Sequence, residues 1–320
     1  MRRIAVMTSG GDSPGMNAAV RAVVRAGVAS GLKVYGIRHA YEGLINGEFK
    51  RMGPRDVSGI LGRGGTILHT ARCQEFYEPL GQKAGLTELQ TAGINGLVVI
   101  GGDGSLEGAL ALHKKGFPVI GLPGSIDNDI WGTNTSIGVD TALNTILNAL
   151  DALRDTAASH NRAFLVETMG RQCGYLALMG GILGGAELIL IPEVDTGLEE
   201  VAQAIDEAYA EGKNHALIVI AEGANLKTTE ISKYLEEHPT PYEVRITILG
   251  HLQRGGRPTA FDRLLATRMG VRAVEGLLAG ESGVMIGLDG RTLTPVPLEE
   301  VTGKSRQADL DYFEMAKVLS

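Results

Sequence analysis

Short apolar runs and amphipathic stretches alternate along this chain from one end to the other. The runs at 4–7, 34–37, 97–100, 119–122, 164–166, 188–191, 216–221 and 246–249 are rich in Val, Ile and Leu, and most are bounded by glycine. Runs this short and this apolar suit strands buried on both faces, as in parallel sheets. Helical spacing marks the intervals: residues 18–29 are rich in alanine and valine, Leu143, Ile146, Leu147, Leu150 and Leu153 recur on one helical face, and so do residues of 264–278. Strand and helix in strict alternation predict an α/β fold with mainly parallel sheets and helices on both faces. No Pro/Ser linker and no short-period repeat divides the sequence. At 320 residues the chain is long enough for two lobes, expected to be similar and intimately connected rather than two beads on a string.

Composition changes this picture little. Hydrophobic residues make up 44% and charged residues 21%, the balance of an ordinary globular protein. The 45 glycines and 11 prolines together stay below the roughly 25–30% that marks low-complexity chains, so the glycines have local geometric jobs. A formal charge of −7 argues against a nucleic-acid partner, and it requires the cations of any phosphate site to be concentrated locally. Cys73 and Cys173 form no CxxC pair and no ligand cluster, and read as reduced thiols of a cytosolic protein. The apolar run after Met1 is too short for a signal peptide. No stretch approaches the ~18 apolar residues of a membrane span, so a cytoplasmic protein without a membrane partner is expected.

The chemistry concentrates where apolar runs meet glycine. Ile100 leads into Gly-Gly-Asp-Gly-Ser at 101–105, and Leu122 into Pro-Gly-Ser-Ile-Asp-Asn-Asp at 123–129. A buried parallel strand ending in glycine presents bare backbone N–H groups to a phosphate at the carboxyl edge of the sheet. Asp103, Asp127 and Asp129 beside an anion make electrostatic sense if a divalent cation lies between them. Phosphate, magnesium and a further carboxylate are the parts of a phosphoryl-transfer site. Acidic residues after Pro-Gly are also ordinary turn chemistry; a second glycine-rich strand end about twenty residues away favours the chemical reading. Thr8-Ser9-Gly10-Gly11-Asp12 is a third such turn and weak by itself. It matches neither the P-loop pattern nor G-x-G-x-x-G, which disfavours a P-loop NTPase and a nicotinamide oxidoreductase. Arg245 to Gly256 reads as a strand running into a glycine loop with Arg245, His251 and Arg254, suited to clamp a phosphate or carboxylate; its plainer reading is a solvated loop with a core-packed histidine. His39, His69, His113, His160, His215 and His238 show no zinc spacing. Arg21 and Arg25 share a face of the first helix, which marks either a wet surface or an anion site to which Arg154, Lys213 and His215 would contribute.

Together these segments resemble the bacterial ATP-dependent 6-phosphofructokinases from Ile4 to the C-terminal region. That family's pattern of a basic residue, four residues, Gly-His-x-Gln-Arg-Gly-Gly, five residues and Asp-Arg is met by Arg245 through Asp262 and Arg263. The motifs at 101–105, at 126–129 and at Met169-Gly170-Arg171 match in the same order and spacing. The resemblance implies two lobes, 1–138 plus about 252–304 for the nucleotide and 139–251 plus about 305–320 for the sugar phosphate. It implies that Gly11, Arg72, Cys73, Gly102, Asp103, Gly104 and Ser105 bind ATP, with Asp103 serving magnesium. Ser125, Ile126, Asp127, Arg162, Met169, Gly170, Arg171, Glu222, Arg245, His251, Leu252, Gln253 and Arg254 would surround fructose 6-phosphate. Asp127 would be the general base, Asp129 its support, and Arg72 and Arg171 would stabilise the transferring group. Arg162 and Arg245 would reach the 6-phosphate from a neighbouring subunit, in a homo-oligomer that is most often a tetramer. An effector pocket for ADP or phosphoenolpyruvate would use Arg21, Arg25, Arg154, Glu187, Lys213 and His215.

The chain departs from the family pattern in places. Ser125 replaces a threonine and keeps its hydroxyl, and Tyr175 stands where relatives carry aspartate. Gly59 and Glu211 replace an acidic and a basic residue of the effector pocket, so a surviving but weakened effector response is expected. Three other readings stay open. A pyrophosphate-dependent relative would carry aspartate at 104 and lysine at 124, where this chain has glycine. A sugar-phosphate sensor on the same fold would be free to lose Asp103 or Asp127, and both are present. A nicotinamide oxidoreductase lacks its fingerprint and would reveal itself by cofactor fluorescence.

Overall fold

Strand and helix alternate as the apolar runs predict. The structure, a computed structural model, describes residues 1–238 and 240–319. In chain order, β1 (Arg3–Thr8), α1 (Met16–Ala29), β2 (Lys33–Ile37), α2 (Ala40–Ile45), β3 (Phe49–Met52), α3 (Pro79–Thr91), β4 (Leu97–Gly101), α4 (Asp103–Lys114) and β5 (Val119–Pro123) lead into the long helix α5 (Val139–His160). Then come β6 (Arg162–Thr168), α6 (Tyr175–Leu183), β7 (Leu188–Leu190), α7 (Leu198–Ala210), β8 (Ala216–Ala221), α8 (Thr228–Glu237) and β9 (Glu243–Ile248). α9 (Ala260–Ala279), β10 (Val284–Asp289), β11 (Thr292–Pro297), α10 (Leu298–Thr302) and α11 (Leu310–Leu319) follow. The chain divides into two compact units: Met1–Ile126, Ile130–Thr141 and Arg254–Ser305 form the first, and Asp127–Asp129, Ala142–Gln253 and the chain from Arg306 form the second. The sequence places the boundaries after 138 and near 252 and 304; the units divide after Thr141, Gln253 and Ser305, with Asp127–Asp129 as a short excursion into the second.

The first unit holds a seven-stranded sheet in the order β11-β10-β5-β4-β1-β2-β3. Its five inner strands are parallel, while β3 and β11 close the edges antiparallel. Residue parity builds its two cores. Ile4, Val6, Val98, Ile100, Ile120 and Leu122 face one side, packed on α1 and α9. Ala5, Met7, Leu97, Val99 and Val119 face the other, under α2, α4 and α10. Each Val, Leu or Ile enclosed in this way contributes about 1.5–3 kcal/mol. α9 reaches α1 through Gly270, where a Cβ would stand 2.7 Å from the Ala22 Cβ and 2.9 Å from the Ala19 carbonyl oxygen. The apolar runs do not reveal β3, β10 and β11. β3 carries Lys50 and Arg51, Gly287 interrupts β10, and Pro295 and Pro297 lie in β11, where an edge strand tolerates them.

The second unit holds four parallel strands in the order β7-β8-β6-β9. Leu165, Ile218, Ile220 and Ile231 form its core with Val201 and Ile205. β9 departs from the expectation of a strand buried on both faces: Ile246 is 39% and Ile248 59% exposed. It has a neighbour on one side only, so apolar content alone does not bury it. Among the described residues no helix is long and apolar enough to cross a membrane.

Candidate active site

In the first unit the glycine turns meet because their strands are neighbours. β1 and β4 pair with Thr8 opposite Ile100, and the Ser9 N–H donates to the Ile100 carbonyl at 2.9 Å. A Cβ at Gly101 would lie 2.5 Å from both Ser105 Oγ and the Ser9 carbonyl oxygen, so the two turns touch backbone to backbone. Gly10 adopts φ +80° against Ser105, a conformation that favours glycine. The outer face of the second turn is open: a Cβ at Gly102 would meet nothing within 4 Å, and one at Gly104 only the Tyr77 hydroxyl at 3.6 Å. Asp103 is the first residue of α4, with its carboxylate at the positive end of the helix dipole. Ser105 is buried and its carbonyl accepts from Tyr41 Oη at 2.6 Å; burial pushes the Tyr41 phenol well above its usual range. Thr66 and Thr70 bind the segment before Arg72 and Cys73 to this edge. Thr66 Oγ1 lies 2.7 Å from Thr8 Oγ1, and Thr70 Oγ1 donates to the Gly10 carbonyl at 2.5 Å. Arg72 is exposed and Cys73 half-buried two and three residues beyond that anchor. The Arg254 guanidinium lies against Gly11, where any Cβ would collide with it. Arg254, expected with the sugar phosphate, therefore sits at the first glycine turn.

Beyond β5 the chain from Ser125 to Ile130 alternates in burial. Ser125, Asp127 and Asp129 are partly exposed, while Ile126, Asn128 and Ile130 are enclosed. Asn128 turns the chain at φ 55°, a left-handed conformation asparagine tolerates. The Asp129 carbonyl accepts from the Arg306 N–H at 2.7 Å. Because the Ile126 side chain is buried, only its backbone can face a ligand.

In the second unit, Met169, Gly170 and Arg171 follow β6, and Glu222 follows β8. The Glu222 N–H donates to the Thr168 carbonyl at 2.8 Å and Gly223 N–H to that of Gly170 at 3.1 Å. Gly170, at φ +126°, lets these two turns interlock. Met169 is buried and Arg171 exposed. After β9, residues 250–254 form a single 3-10 turn that exposes His251 and leaves Leu252 71% exposed. Gln253 is different. It is fully enclosed, accepts from the Met169 N–H at 3.2 Å and donates to the Gly250 carbonyl at 3.0 Å. Its side chain braces the two loops and has no face toward a ligand. Cys173, one turn on, is buried, and desolvation pushes its thiol up to about 12. Tyr175 opens α6 with the Arg306 guanidinium over its ring at 5.8 Å.

Arg162 and Arg245 stand at the other edge of this sheet. Arg162 begins β6, six residues before its end, and Arg245 pairs beside Phe164, two steps further along. Six steps along β6 amount to about 20 Å, further apart than the two ends of a hexose phosphate. Glu243, opposite Arg162 in the register, joins the two arginines: Arg162 Nε lies 2.7 Å from Glu243 Oε2, and Arg245 Nη2 contacts Glu243 Oε1. The Arg162 hydrogen bond is the main cause holding the Glu243 carboxyl below its usual range. Sequence motifs do not single out Glu243; its signal is the i, i+2 relation to Arg245 on one strand face.

The expected effector residues are distributed as follows. Arg21 and Arg25 lie on α1 in the first unit, half-buried and exposed. In the second unit Arg154 contacts Asp151 at 3.3 Å and the Gly184 carbonyl. Glu187 is buried and accepts from the Leu217 N–H at 2.6 Å. Lys213 Nζ stands between Glu187 at 3.7 Å and Glu211 at 3.4 Å. His215 Nδ1 lies 2.9 Å from Asn214 Oδ1. Among the described residues no three His, Cys, Asp or Glu side chains converge into a metal cage.

The phosphofructokinase family pattern matches residues 3–277. The chain is 51% identical over 320 residues to an ATP-dependent 6-phosphofructokinase of Natranaerobius thermophilus, and 53% identical over 321 residues to one of Thermotoga neapolitana, with 100% of both chains covered in each case. A solved structure of Pichia pastoris phosphofructokinase in the T-state superposes with a TM-score of 0.90 at 41% identity, covering 94% of this chain and 35% of that one. The chain thus spans about a third of the length of that fungal relative.

Proposed function

This chain belongs to the phosphofructokinase family, and from that premise we infer that it transfers the γ-phosphoryl group of ATP to the 1-hydroxyl of fructose 6-phosphate, giving fructose 1,6-bisphosphate and ADP. One observation carries the choice of donor. The turn at 101–105 is open at Gly102 and nearly so at Gly104, which leaves room for a nucleotide along bare backbone. The aspartate and lysine of a pyrophosphate-dependent relative are absent from 104 and 124. A side chain at 124 would meet the Met16 Cε at 3.1 Å and the Gly101 nitrogen at 3.4 Å.

The donor set fits magnesium, which takes one or two carboxylates and completes its shell with phosphate oxygens and water. Asp103 would hold it; when bound, the ion neutralises charge on the nucleotide phosphates. The rest is the work of the chain's own groups. Backbone N–H groups at 11 and 102–105 cradle the phosphates. Asp127 takes the proton of the 1-hydroxyl, with Asp129 two residues on along the same alternating segment. Arg72 and Arg171, both exposed, supply charge to the transferring group, with Cys73 lining the nucleotide. Ser125, Met169, Gly170, Glu222 and His251 position the sugar, with Arg254 beside the first glycine turn, next to the phosphates that turn would cradle. Arg162 and Arg245 clamp the 6-phosphate of the neighbouring subunit's sugar. The separation of Arg162 from Arg171 along β6 supports that reading, because a single copy holds Arg162, with Arg245 linked to it through Glu243, away from the other sugar-binding residues of its unit. The same reading includes a homo-oligomer, a cytoplasmic location in keeping with free cysteines, and an effector response to ADP or phosphoenolpyruvate weakened by Glu211 beside Lys213.

The test is a coupled assay of the purified protein with fructose 6-phosphate, comparing ATP and pyrophosphate as donors. Turnover with ATP and magnesium, and none with pyrophosphate, is expected. The reverse preference overturns the donor assignment, and no turnover with either overturns the reaction.

A further inference from the structure

The first unit contains a cavity of about 460 Å³ lined by Gly59, Gly62, Arg63, Gly64, Arg257 and Arg263, that is, by arginine and glycine alone. We propose that this cavity binds a phosphate-bearing small anion, with the guanidinium groups of Arg63, Arg257 and Arg263 as its ligands. The site goes beyond the reaction above and uses none of that reaction's residues. Of the positions compared with the family's effector pocket only Gly59 borders it, and a glycine there offers backbone alone.

Charge makes the case first. The chain carries a formal −7, yet no carboxylate lines this cavity, and among the described residues none of the three arginines enters an ion pair. Like charges brought around one space repel, and an anion between them turns the cost into attraction. Arg63 and Arg257 are exposed and Arg263 half-buried, but the fold fixes the loops that carry them with specific devices. Asn17, almost fully buried on α1, donates to the Arg63 and Gly64 carbonyls at 3.1 Å each and accepts from the Ile67 N–H at 2.8 Å. Gly64 is packed so closely on the Gly256 carbonyl that any Cβ would collide, which brings the loop of Arg63 against the loop of Arg257. On the facing wall Arg263 Nε donates to the Pro258 carbonyl at 2.7 Å. This leaves its two terminal nitrogens, which lie 3.5 Å from where a Gly62 Cβ would stand. Asp262 anchors that wall from beneath, buried and accepting from the Gly138 N–H, the Thr141 N–H and Thr141 Oγ1.

The lining also selects the ligand. Guanidinium forks match phosphate oxygens two at a time, and the glycines keep backbone accessible. No apolar side chain is present to take a base or an acyl chain. The volume lies within the range of small-molecule sites, large enough for a phosphate ester as well as the free ion.

The test uses the full-length protein with saturating fructose 6-phosphate and ADP, so that the sites assigned above are filled. Phenylglyoxal modification of each arginine is followed by mass spectrometry while inorganic phosphate is titrated. Phosphate is expected to protect Arg63, Arg257 and Arg263 together, with one half-protecting concentration. Arg257→Gln should raise that concentration for Arg63 and Arg263 by at least about tenfold, the loss of one charge-assisted fork, with ATP and fructose 6-phosphate saturation unchanged. Arg63→Gln provides the same measurement on the other loop should the first variant melt at a lower temperature. Modification rates independent of phosphate, or a half-protecting concentration unchanged in both variants, overturn the proposal. So does protection that follows only the association of chains at high protein concentration, which would make the cavity a contact between copies.

Discussion

At the scale of single residues, chemistry is decided by what each side chain is allowed to face. Asp127 is partly exposed while Ile126 and Asn128 on either side of it are enclosed, so the carboxylate is the group of that tripeptide available to a substrate. Asp127→Ala should lower kcat by about 10²–10⁴, the usual contribution of a general base, while fructose 6-phosphate still binds; steady-state kinetics with a binding titration checks both halves. Activity within threefold of the unaltered enzyme would remove Asp127 from that role. The two cysteines make a second contrast. With its thiol at about 12, Cys173 has about one part in ten thousand as thiolate at pH 8, and it is buried as well. A chromogenic disulfide reagent should therefore titrate one thiol per native chain, Cys73, and two after denaturation, and ATP should slow the first. Two thiols reacting at equal rates in the native protein would contradict the burial of Cys173.

At the scale of elements, Asp262 shows how one side chain secures a helix start. It is fully enclosed and accepts from the Gly138 N–H at 2.9 Å, the Thr141 N–H at 2.8 Å and Thr141 Oγ1 at 2.6 Å, tying α9 to the start of α5 within the first unit. Desolvation raises its carboxyl above the usual range, and these three hydrogen bonds offset only part of that rise. A raised native value means that the folded state holds this proton more tightly than the unfolded chain does. Its stabilisation is thus fully present below the ordinary carboxylate value and is lost as pH rises through the raised one. Asp262→Asn, which cannot titrate, should flatten the thermal-stability profile in that window. Asp262→Ala should cost about 1–3 kcal/mol by stranding buried donors, seen as a lower melting temperature at every pH. Parallel profiles for the unaltered protein and Asp262→Asn would show that the carboxylate does not titrate differently on folding.

At the scale of the whole molecule, the proposed assembly rests on where Arg162 and Arg245 lie along the sheet. Arg162 and Arg245 share Glu243 at one edge of the four-stranded sheet, and Met169, Arg171 and His251 follow the other edge. If the clamp serves the neighbouring subunit's sugar, an Asp127→Ala chain can lend its arginines to an Arg245→Ala chain, whose own Asp127 is intact. Refolding the two variants together should restore turnover above that of either alone, with native mass spectrometry confirming mixed oligomers. Mixed oligomers without recovered activity would place the clamp and the base in one chain.

The order of most elements, the parallel inner strands and the glycine turns were legible in the sequence, because strand burial and glycine turns depend on neighbours a few residues away. Local pattern also placed Asp103, Asp127 and the loop of His251 and Arg254 after strands, and Arg245 within the strand before that loop. It missed β3, β10 and β11, whose lysines, arginines, prolines and glycine hide them from a search for apolar runs, and it read β9 as buried when its edge position leaves Ile246 and Ile248 exposed. The enclosure of Gln253, the seat of Arg254 against Gly11, the Glu243 link between two arginines and the arginine-lined cavity were decided by tertiary structure alone. Each brings together residues from separate strands or loops, and such a meeting is fixed by sheet register and loop packing, which no short stretch of chain encodes by itself.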